Sequence, residues 1–268
     1  MNTNEGLDSA RRAAREVGDN PVFDALARWG FVMSGLLHIV IGYTAARLAW
    51  GGGGSADQSG ALATLASNPA GVLVMWVIVI GLVALVVWQL TVAIAPGAGG
   101  GWLDRGEAVA KAAVYAVLAI TAARFALGSG SSQSSEKSSQ DVTANLMEQP
   151  AGQVLVGAVG VVIVGVGGYH VYSGLSRTFL QDLEEDPGTP ARVLGMIGYP
   201  AKGIVLGLVG VFFVMAAVQH ESSKAAGLDG ALKSLRDEPF GPYLLTAVGV
   251  GFVAFGLYLF ARARHQRI

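Results

Sequence analysis

Few residues in this sequence could do chemistry, and most of them fall inside long apolar stretches. Lys111 and Lys202 occupy equivalent positions in two of these stretches, and Ser34 takes that position in a third. Lys111 stands five residues and Lys202 ten residues inside the end of its stretch, where a cluster of such groups could bind an anion or an acidic lipid headgroup. Their long stems could also simply anchor the helices to the headgroup region. The sequence favours anchoring and keeps the binding site as the alternative.

Polar residues lie deeper in the same stretches: His38, Tyr115, His170 and Gln89. A histidine inside a membrane span can relay protons or bind a metal, and a haem-binding bundle needs histidines that face each other across helices. His38 and His170 would form that pair, but their expected depths differ. Hydrogen bonding between helices is therefore the favoured interpretation, and we expect neither a metal nor a cofactor.

The common signatures of enzymes are missing from the sequence. It has no P-loop, no His-Glu-x-x-His, no Gly-x-Ser-x-Gly and no cysteine. Apart from Glu107 at one end, the apolar stretches contain no acidic residue, which argues against a cation-coupled transporter. The acidic run that includes Asp182 and Asp186 is interpreted as a solvated loop. We predict a protein that is not an enzyme.

The composition is typical of a membrane protein. Hydrophobic residues make up 52 % of the chain and charged residues 14 %, against about 25 % charged residues in a soluble domain. A span needs ~20 apolar residues to cross ~30 Å of hydrocarbon. Six stretches qualify, so we predict an all-α polytopic membrane protein with six transmembrane helices. They are residues 27–50, 71–94, 106–127, 152–175, 192–218 and 241–261.

The positive charges indicate the orientation. An even number of spans places both termini on one side, where ten Lys and Arg residues of loops and boundaries fall, against four on the opposite side. The positive-inside rule then places both termini in the cytoplasm, with residues 1–26 as a polar tail. We predict a multi-pass protein of the plasma membrane. Its partners would be the lipid bilayer and either anionic lipids or another membrane protein. A net charge of −1 gives no reason to expect nucleic acid.

A motif of Leu, three residues, Pro, one residue and Gly precedes each even-numbered stretch. Because Pro lacks an N–H and suits the first turn of a helix, the motif predicts where each even span begins. The apolar spacing before it predicts a short helix in the membrane interface. The three copies are Leu65, Pro69 and Gly71; Leu146, Pro150 and Gly152; and Leu235, Pro239 and Gly241, and an aromatic follows each Pro by nineteen residues at Trp88, Tyr169 and Tyr258.

The repeated motif divides the chain into three two-span units, residues 27–94, 103–175 and 190–264. Two spans per unit make the copies parallel repeats, related by an axis along the membrane normal. We therefore predict three hairpins with pseudo-threefold symmetry. Small residues coincide in the odd spans, at Gly35, Ala112 and Gly203 and again at Gly42, Ala119 and Gly210. The Ser-rich residues 128–140 are predicted to be disordered.

These three copies of Leu-x-x-x-Pro-x-Gly, each followed by a glycine-rich span, resemble the bacterial membrane family called domain of unknown function 1206. The likeness extends over residues 27–264. It departs from the pattern in the second copy, where Glu107 and Ala112 stand at the places of Gly30 and Gly35. The resemblance implies three tandem two-span units. It implies no catalytic residue, since the family has no assigned activity.

Three functions fit the sequence. The first, which it favours, is a non-enzymatic membrane module: a scaffold, a lipid-binding protein or an accessory to another membrane complex. The second is a channel or transporter with an anion- or headgroup-binding path at the pseudo-threefold axis, lined by Ser34, Lys111 and Lys202. The third is a membrane enzyme or haem protein that uses His38 and His170.

Overall fold

The computed structural model describes residues 21–67, 69–94, 102–129, 135–183 and 185–265, and most of the predicted polar tail lies outside these ranges. Within them the chain forms nine α-helices and no β-strand, which confirms the all-α prediction for the described part. The helices are α1 (Pro21–Ala49), α2 (Gln58–Ala66), α3 (Pro69–Ile94), α4 (Trp102–Ala126), α5 (Ser135–Met147), α6 (Gly152–Ser176), α7 (Gly188–Gln219), α8 (Leu228–Arg236) and α9 (Gly241–His265), with 3₁₀ turns at Thr178–Asp182 and Ser222–Lys224.

Five of the described helices are long and apolar enough to cross a membrane, and they indicate a multi-pass membrane protein. The sequence predicts six such spans. The remaining prediction, residues 106–127, falls on α4, which forms a helix of 25 residues, and the sixth span stays a prediction. The five helical segments are Arg28–Ala49, Pro69–Val87, Gly152–Ser176, Gly188–Gln219 and Gly241–His265.

A short helix precedes each even-numbered long helix, as the sequence predicts: α2 before α3, α5 before α6, and α8 before α9. The disorder predicted for residues 128–140 is wrong from residue 135 onward, where α5 begins; residues 130–134 lie outside the described part. Tertiary packing outweighs the polar composition here. Thr143 on α5 is buried, and the Gln140 side chain donates to the Ser223 carbonyl at 3.0 Å.

The glycine of the repeated motif sits where two backbones cross. A Cβ on Gly71 would collide with the carbonyl oxygen of Leu65, and one on Gly152 with that of Leu146. In the third copy, a Cβ on Gly241 would lie 2.8 Å from the Leu235 carbonyl oxygen. The motif is therefore a tight turn between the short and the long helix that only glycine fits.

The prediction that Pro begins each even helix holds only in the first copy, where α3 starts at Pro69. In the other two copies the long helix starts two residues later, at the glycine. The reason is local, because the intervening residues, Ala151 and Phe240, adopt left-handed φ values of 62° and 61°. A residue in that conformation cannot belong to a right-handed helix.

The chain forms two compact units. Of the described residues, one unit contains α3, α4 and the start of α1 up to Gly30, and the other contains the rest of α1 together with α5 to α9. The pseudo-threefold arrangement of the whole chain stays a prediction.

In the larger unit, α6 and α7 pack through two pairs of glycines. A Cβ on Gly210 would lie 2.7 Å from the carbonyl oxygen of Gly160, and one on Gly167 would lie 2.7 Å from that of Gly203. Real Cβ atoms essentially never come within 3.0 Å of such atoms. The two backbones are therefore in direct contact, as small residues permit between membrane helices.

The same arrangement joins α1 to α9. A Cβ on Gly35 would lie 2.7 Å from the Gly256 carbonyl oxygen, and one on Gly249 would lie 2.7 Å from that of Gly42. Glycines in all four helices stand seven residues apart, which is close to two helical turns. The first long helix of the chain thus packs against the last one.

In the smaller unit, α3 packs against α4. Ala112 and Ala119, which align with the glycines of α1 and α7, are both buried, as are Met75 and Val79 of α3. At these two positions α4 has alanines where α1 and α7 have glycines. In all three pairs, an odd-numbered long helix packs against an even-numbered long helix of another repeat: α4 against α3, α7 against α6, and α1 against α9.

Candidate functional site

Aromatic rings gather at the end of the larger unit where α7 begins and α9 ends. Tyr199 stacks on Phe179 with 4.9 Å between ring centroids and meets Phe255 edge-on at 5.1 Å; Phe179 meets Tyr258 edge-on at 5.2 Å. All four rings are buried. With Lys202, Arg262 and Asp182 they are called the basic–aromatic cluster below.

Glycines on α7 make room for this cluster. A Cβ on Gly195 would collide with the ring of Phe179, and one on Gly198 would lie 2.5 Å from the Cα of Phe255. Pro200, inside the same helix, has no N–H to give the carbonyl of Met196 its helical hydrogen bond. This part of α7 is therefore shaped by its neighbours more than by helix propensity.

Lys202 extends from α7 into the cluster. Its Nζ lies over the ring of Phe255, 4.6 Å from the centroid, and the residue is half-buried. Among the residues that the structure describes, no carboxylate forms an ion pair with it. The nearby charge is repulsive, since Lys202 interacts electrostatically with the Arg262 guanidinium.

Arg262, near the end of α9, is held from three sides. Its Nη1 donates to the hydroxyl of Tyr199 at 2.9 Å, and its Nη2 donates to Oδ2 of Asp182 at 3.1 Å. The guanidinium also lies over the ring of Phe31, 4.9 Å from the centroid. Asp182 balances the charge of Arg262, so among the residues that the structure describes the positive charge of Lys202 is left over.

His38 borders the cluster from α1. Its Nδ1 lies 2.7 Å from the carbonyl oxygen of Ser34, and its ring meets that of Phe255 edge-on at 4.9 Å. With a carbonyl as the partner of Nδ1, the proton of the neutral ring belongs on Nδ1, and Nε2 is left as an acceptor. The Ser34 backbone thus fixes the orientation of the imidazole.

His170 borders the cluster from α6. Its Nδ1 lies 2.8 Å from the carbonyl oxygen of Val166, and its ring stacks on Tyr199 with 5.8 Å between centroids. Both imidazoles interact electrostatically with the Lys202 ammonium. Across the described ranges, no group of three or more His, Asp or Glu residues is arranged to hold a metal ion.

The other predicted site residues lie in the smaller unit. Lys111 is exposed on α4, Tyr115 is half-buried on the same helix, and Gln89 is half-buried on α3. The structure therefore brings Lys202 close to His38 and His170. A binding site shared by Lys111, Lys202 and Ser34 stays a prediction.

Three segments of the chain, residues 29–95, 107–177 and 197–266, match the family Domain of Unknown Function (DUF1206). The chain belongs to the DUF1206 family. Each segment contains an odd-numbered long helix, a short helix and an even-numbered long helix, so the three tandem repeats predicted from the motif are confirmed. The second DUF1206 segment begins inside α4, which makes α4 the counterpart of α1 and α7.

The chain is also similar to "Uncharacterized protein YxxB" of Bacillus subtilis (strain 168). The two are 29 % identical over 258 residues, which cover 92 % of this chain and 93 % of that protein. No solved structure matches the chain. The likeness thus extends over the whole DUF1206 architecture.

Reasoning from sequence missed several members of the cluster in this DUF1206 protein. From the sequence, Arg262 is only one more positive charge beside the last span, and Asp182 is only part of a solvated acidic run. The aromatic residue nineteen positions after each Pro could have indicated Tyr258, but the copies of this residue differ in burial. Tyr258 is fully buried, whereas Tyr169 is 61 % exposed; the side chain of Trp88 lies outside the described part.

Asp186, at the end of the acidic run, fits the interpretation of that run as a surface. Asp186 is exposed and pairs with Arg192 at 2.8 Å. The backbone N–H of Gly188, and after it the Arg192 side chain, hold the pKa of the Asp186 carboxyl below its ordinary value. This contact fixes the first turn of α7.

Proposed function

We propose that this DUF1206 protein is a non-enzymatic scaffold or accessory module of the plasma membrane, with six spans and both termini in the cytoplasm. In this proposal three hairpins surround a pseudo-threefold axis. The observation that carries it is the pairing of glycines in the α6–α7 and α1–α9 seams, where backbone lies on backbone over two helical turns.

Such seams support a packing role. Lipid tails are as apolar as valine, so helices gain little from hydrophobic burial in a bilayer and are held by close contact instead. The remaining surface of α6 fits a lipid environment, because valines face outward along it and Val154 is 74 % exposed. Such a bundle is suited to a fixed shape.

The sixth span in this proposal is α4. It has the length to span, 25 residues, or about 37 Å at 1.5 Å per residue, and it packs against α3. Lys111 stands near one end and Arg124 near the other, so both can snorkel toward headgroups. The DUF1206 match also aligns it with two helices that are apolar enough to span.

Single cysteines test this topology, because the natural chain has none. With six spans, Ser67→Cys, Ser129→Cys and Ser223→Cys are labelled from outside the cell, and Ala25→Cys and Ser176→Cys only after the membrane is permeabilised. The unsubstituted chain is the control and takes no label. If α4 does not span, Ser129→Cys and Ser223→Cys become inaccessible from outside and Ser176→Cys accessible, which would overturn the proposal.

A flux assay tests the proposal that the protein transports nothing. Proteoliposomes loaded with an anion-sensitive dye should leak at the rate of protein-free vesicles, since a packed scaffold offers no path. A protein-dependent anion flux would refute the scaffold and favour a channel.

A further inference from the structure

We propose that the basic–aromatic cluster binds a phosphate group, carried by an anionic phospholipid or free in solution, with Lys202 as its principal contact. The proposal rests on the membrane placement proposed above, which sets the cluster near the cytoplasmic headgroups. It adds a ligand class and a contact residue that the scaffold role does not require.

The charges of the cluster favour an anion. Two basic side chains, Lys202 and Arg262, lie in it, and among the described residues the carboxylate of Asp182 contacts Arg262. The two imidazoles at its border are neutral or positive, so they add no negative charge. Counted over the described residues, the cluster therefore has an excess positive charge, which an anion would balance.

The Lys202 side chain is directed into the cluster. A helical side chain leans toward the N-terminus of its helix, and on α7 that direction leads toward the predicted cytoplasmic side. Its Nζ ends over Phe255, a residue whose backbone packs on Gly198 one turn earlier. The ammonium is thus directed into the cluster, whereas a simple anchor would extend along the lipid-facing surface.

A ring face replaces only part of the hydration that a buried ammonium loses. Among the described residues, the Lys202 ammonium contacts the π-face of Phe255 and no carboxylate. The ammonium can therefore still form a charge-assisted contact with an anionic ligand. Phosphate suits this site because Lys meets it as a point charge and Arg offers further donors on a planar fork.

The test uses the full chain, purified and stripped of lipid in a non-ionic detergent. Native mass spectrometry follows the binding of phosphatidylglycerol, with phosphatidylcholine as the zwitterionic comparison. We expect one saturable phosphatidylglycerol site in the natural protein, and an affinity weaker by roughly tenfold or more in Lys202→Gln, the usual scale for losing a charge-assisted contact. Lys202→Arg should bind within a few-fold of the natural protein.

Lys111→Gln is the matched control. It removes the same charge at the equivalent position of another repeat, where the side chain is exposed, and it should leave the affinity unchanged. Equal losses in Lys111→Gln and Lys202→Gln would show a general charge effect and overturn the proposal. So would equal binding by Lys202→Gln and the natural protein, or equal binding of the two lipids.

Inorganic phosphate separates the two sources of the ligand. If millimolar phosphate displaces phosphatidylglycerol, the site recognises the phosphate group itself; if calorimetry detects phosphate binding and no lipid site exists, the ligand is the free anion. If neither probe binds the natural protein, the proposal fails. Should Lys202→Gln not fold by its melting curve, Lys202→Arg and phosphate competition on the natural protein decide. The cysteine topology is measured independently, so failure there is distinct from failure here.

Discussion

Adding one methyl group at Gly210 tests the seam between α6 and α7. In Gly210→Ala the new Cβ would lie 2.7 Å from the Gly160 carbonyl oxygen and 2.8 Å from a methyl of Val164. Ordinary contact begins at 3.4 Å, so the helices must separate locally by about 0.7 Å. Neither obstacle is the far end of a flexible side chain, since one is backbone and the other is a β-branched residue next to it.

The magnitude follows from two opposing effects. Alanine is favoured over glycine in a helix by up to ~1 kcal/mol, and overpacking a well-packed contact costs about 1–3 kcal/mol. We expect the free energy of unfolding to fall by about 1–2 kcal/mol in Gly210→Ala. Gly207→Ala, one turn away on the same helix, places its Cβ in open space and should be neutral or slightly stabilising.

The assay is equilibrium unfolding of both variants in mixed micelles with increasing SDS, followed by far-UV circular dichroism. The difference between the two variants is the informative quantity, because both make the same change in helix propensity. If Gly210→Ala is as stable as Gly207→Ala, the backbones do not touch as described, and the argument for a glycine seam is refuted.

Two further predictions concern buried and exposed carboxylates. Asp229 is fully buried, accepts the Ala56 N–H at 2.9 Å and lies 2.6 Å from the Lys233 ammonium, so Asp229→Asn should lower the free energy of unfolding by about 1–2 kcal/mol; an unchanged SDS midpoint would contradict this. The pKa of Asp186 is lower in the folded than in the unfolded chain, so its contact with Gly188 stabilises at neutral pH and is lost as pH falls through that lowered pKa. Hydrogen exchange at the Gly188 amide should lose protection only in strong acid in the natural protein, and Asp186→Asn should abolish that pH dependence.

The sequence predicts the helices of this protein well because their signals are local. Apolar runs and the Leu-x-x-x-Pro-x-Gly motif mark α3, α6 and α9 directly, and the three-repeat division follows from them. Which helix packs against which is not a local property of the sequence. Nothing near Gly35 indicates that Gly256 will face it, since the pairing depends on how the hairpins close.

Two sequence interpretations failed for physical reasons. The Ser-rich start of α5 is ordered because Thr143 and Gln140 find tertiary partners, which composition does not reveal. The left-handed residues before α6 and α9 delay the helix start beyond the Pro.

The candidate site was predictable only in part. Lys202 and His38 stand out in the sequence because ionisable groups in a span are costly. Phe255 and Tyr199 do not, because aromatic residues inside apolar helices are ordinarily packing residues. Their role depends on the glycines of α7 that admit the rings, and that relation exists only in three dimensions.

The contact between α1 and α9 has a consequence for biogenesis. Gly42 is made about 200 residues before Gly249, which at roughly 5–20 residues per second corresponds to about 10–40 s of translation. During that interval the first helix stays in the bilayer without its final neighbour. Nascent chains released before the last hairpin should therefore be recognised by quality-control proteases, however well the earlier hairpins have inserted.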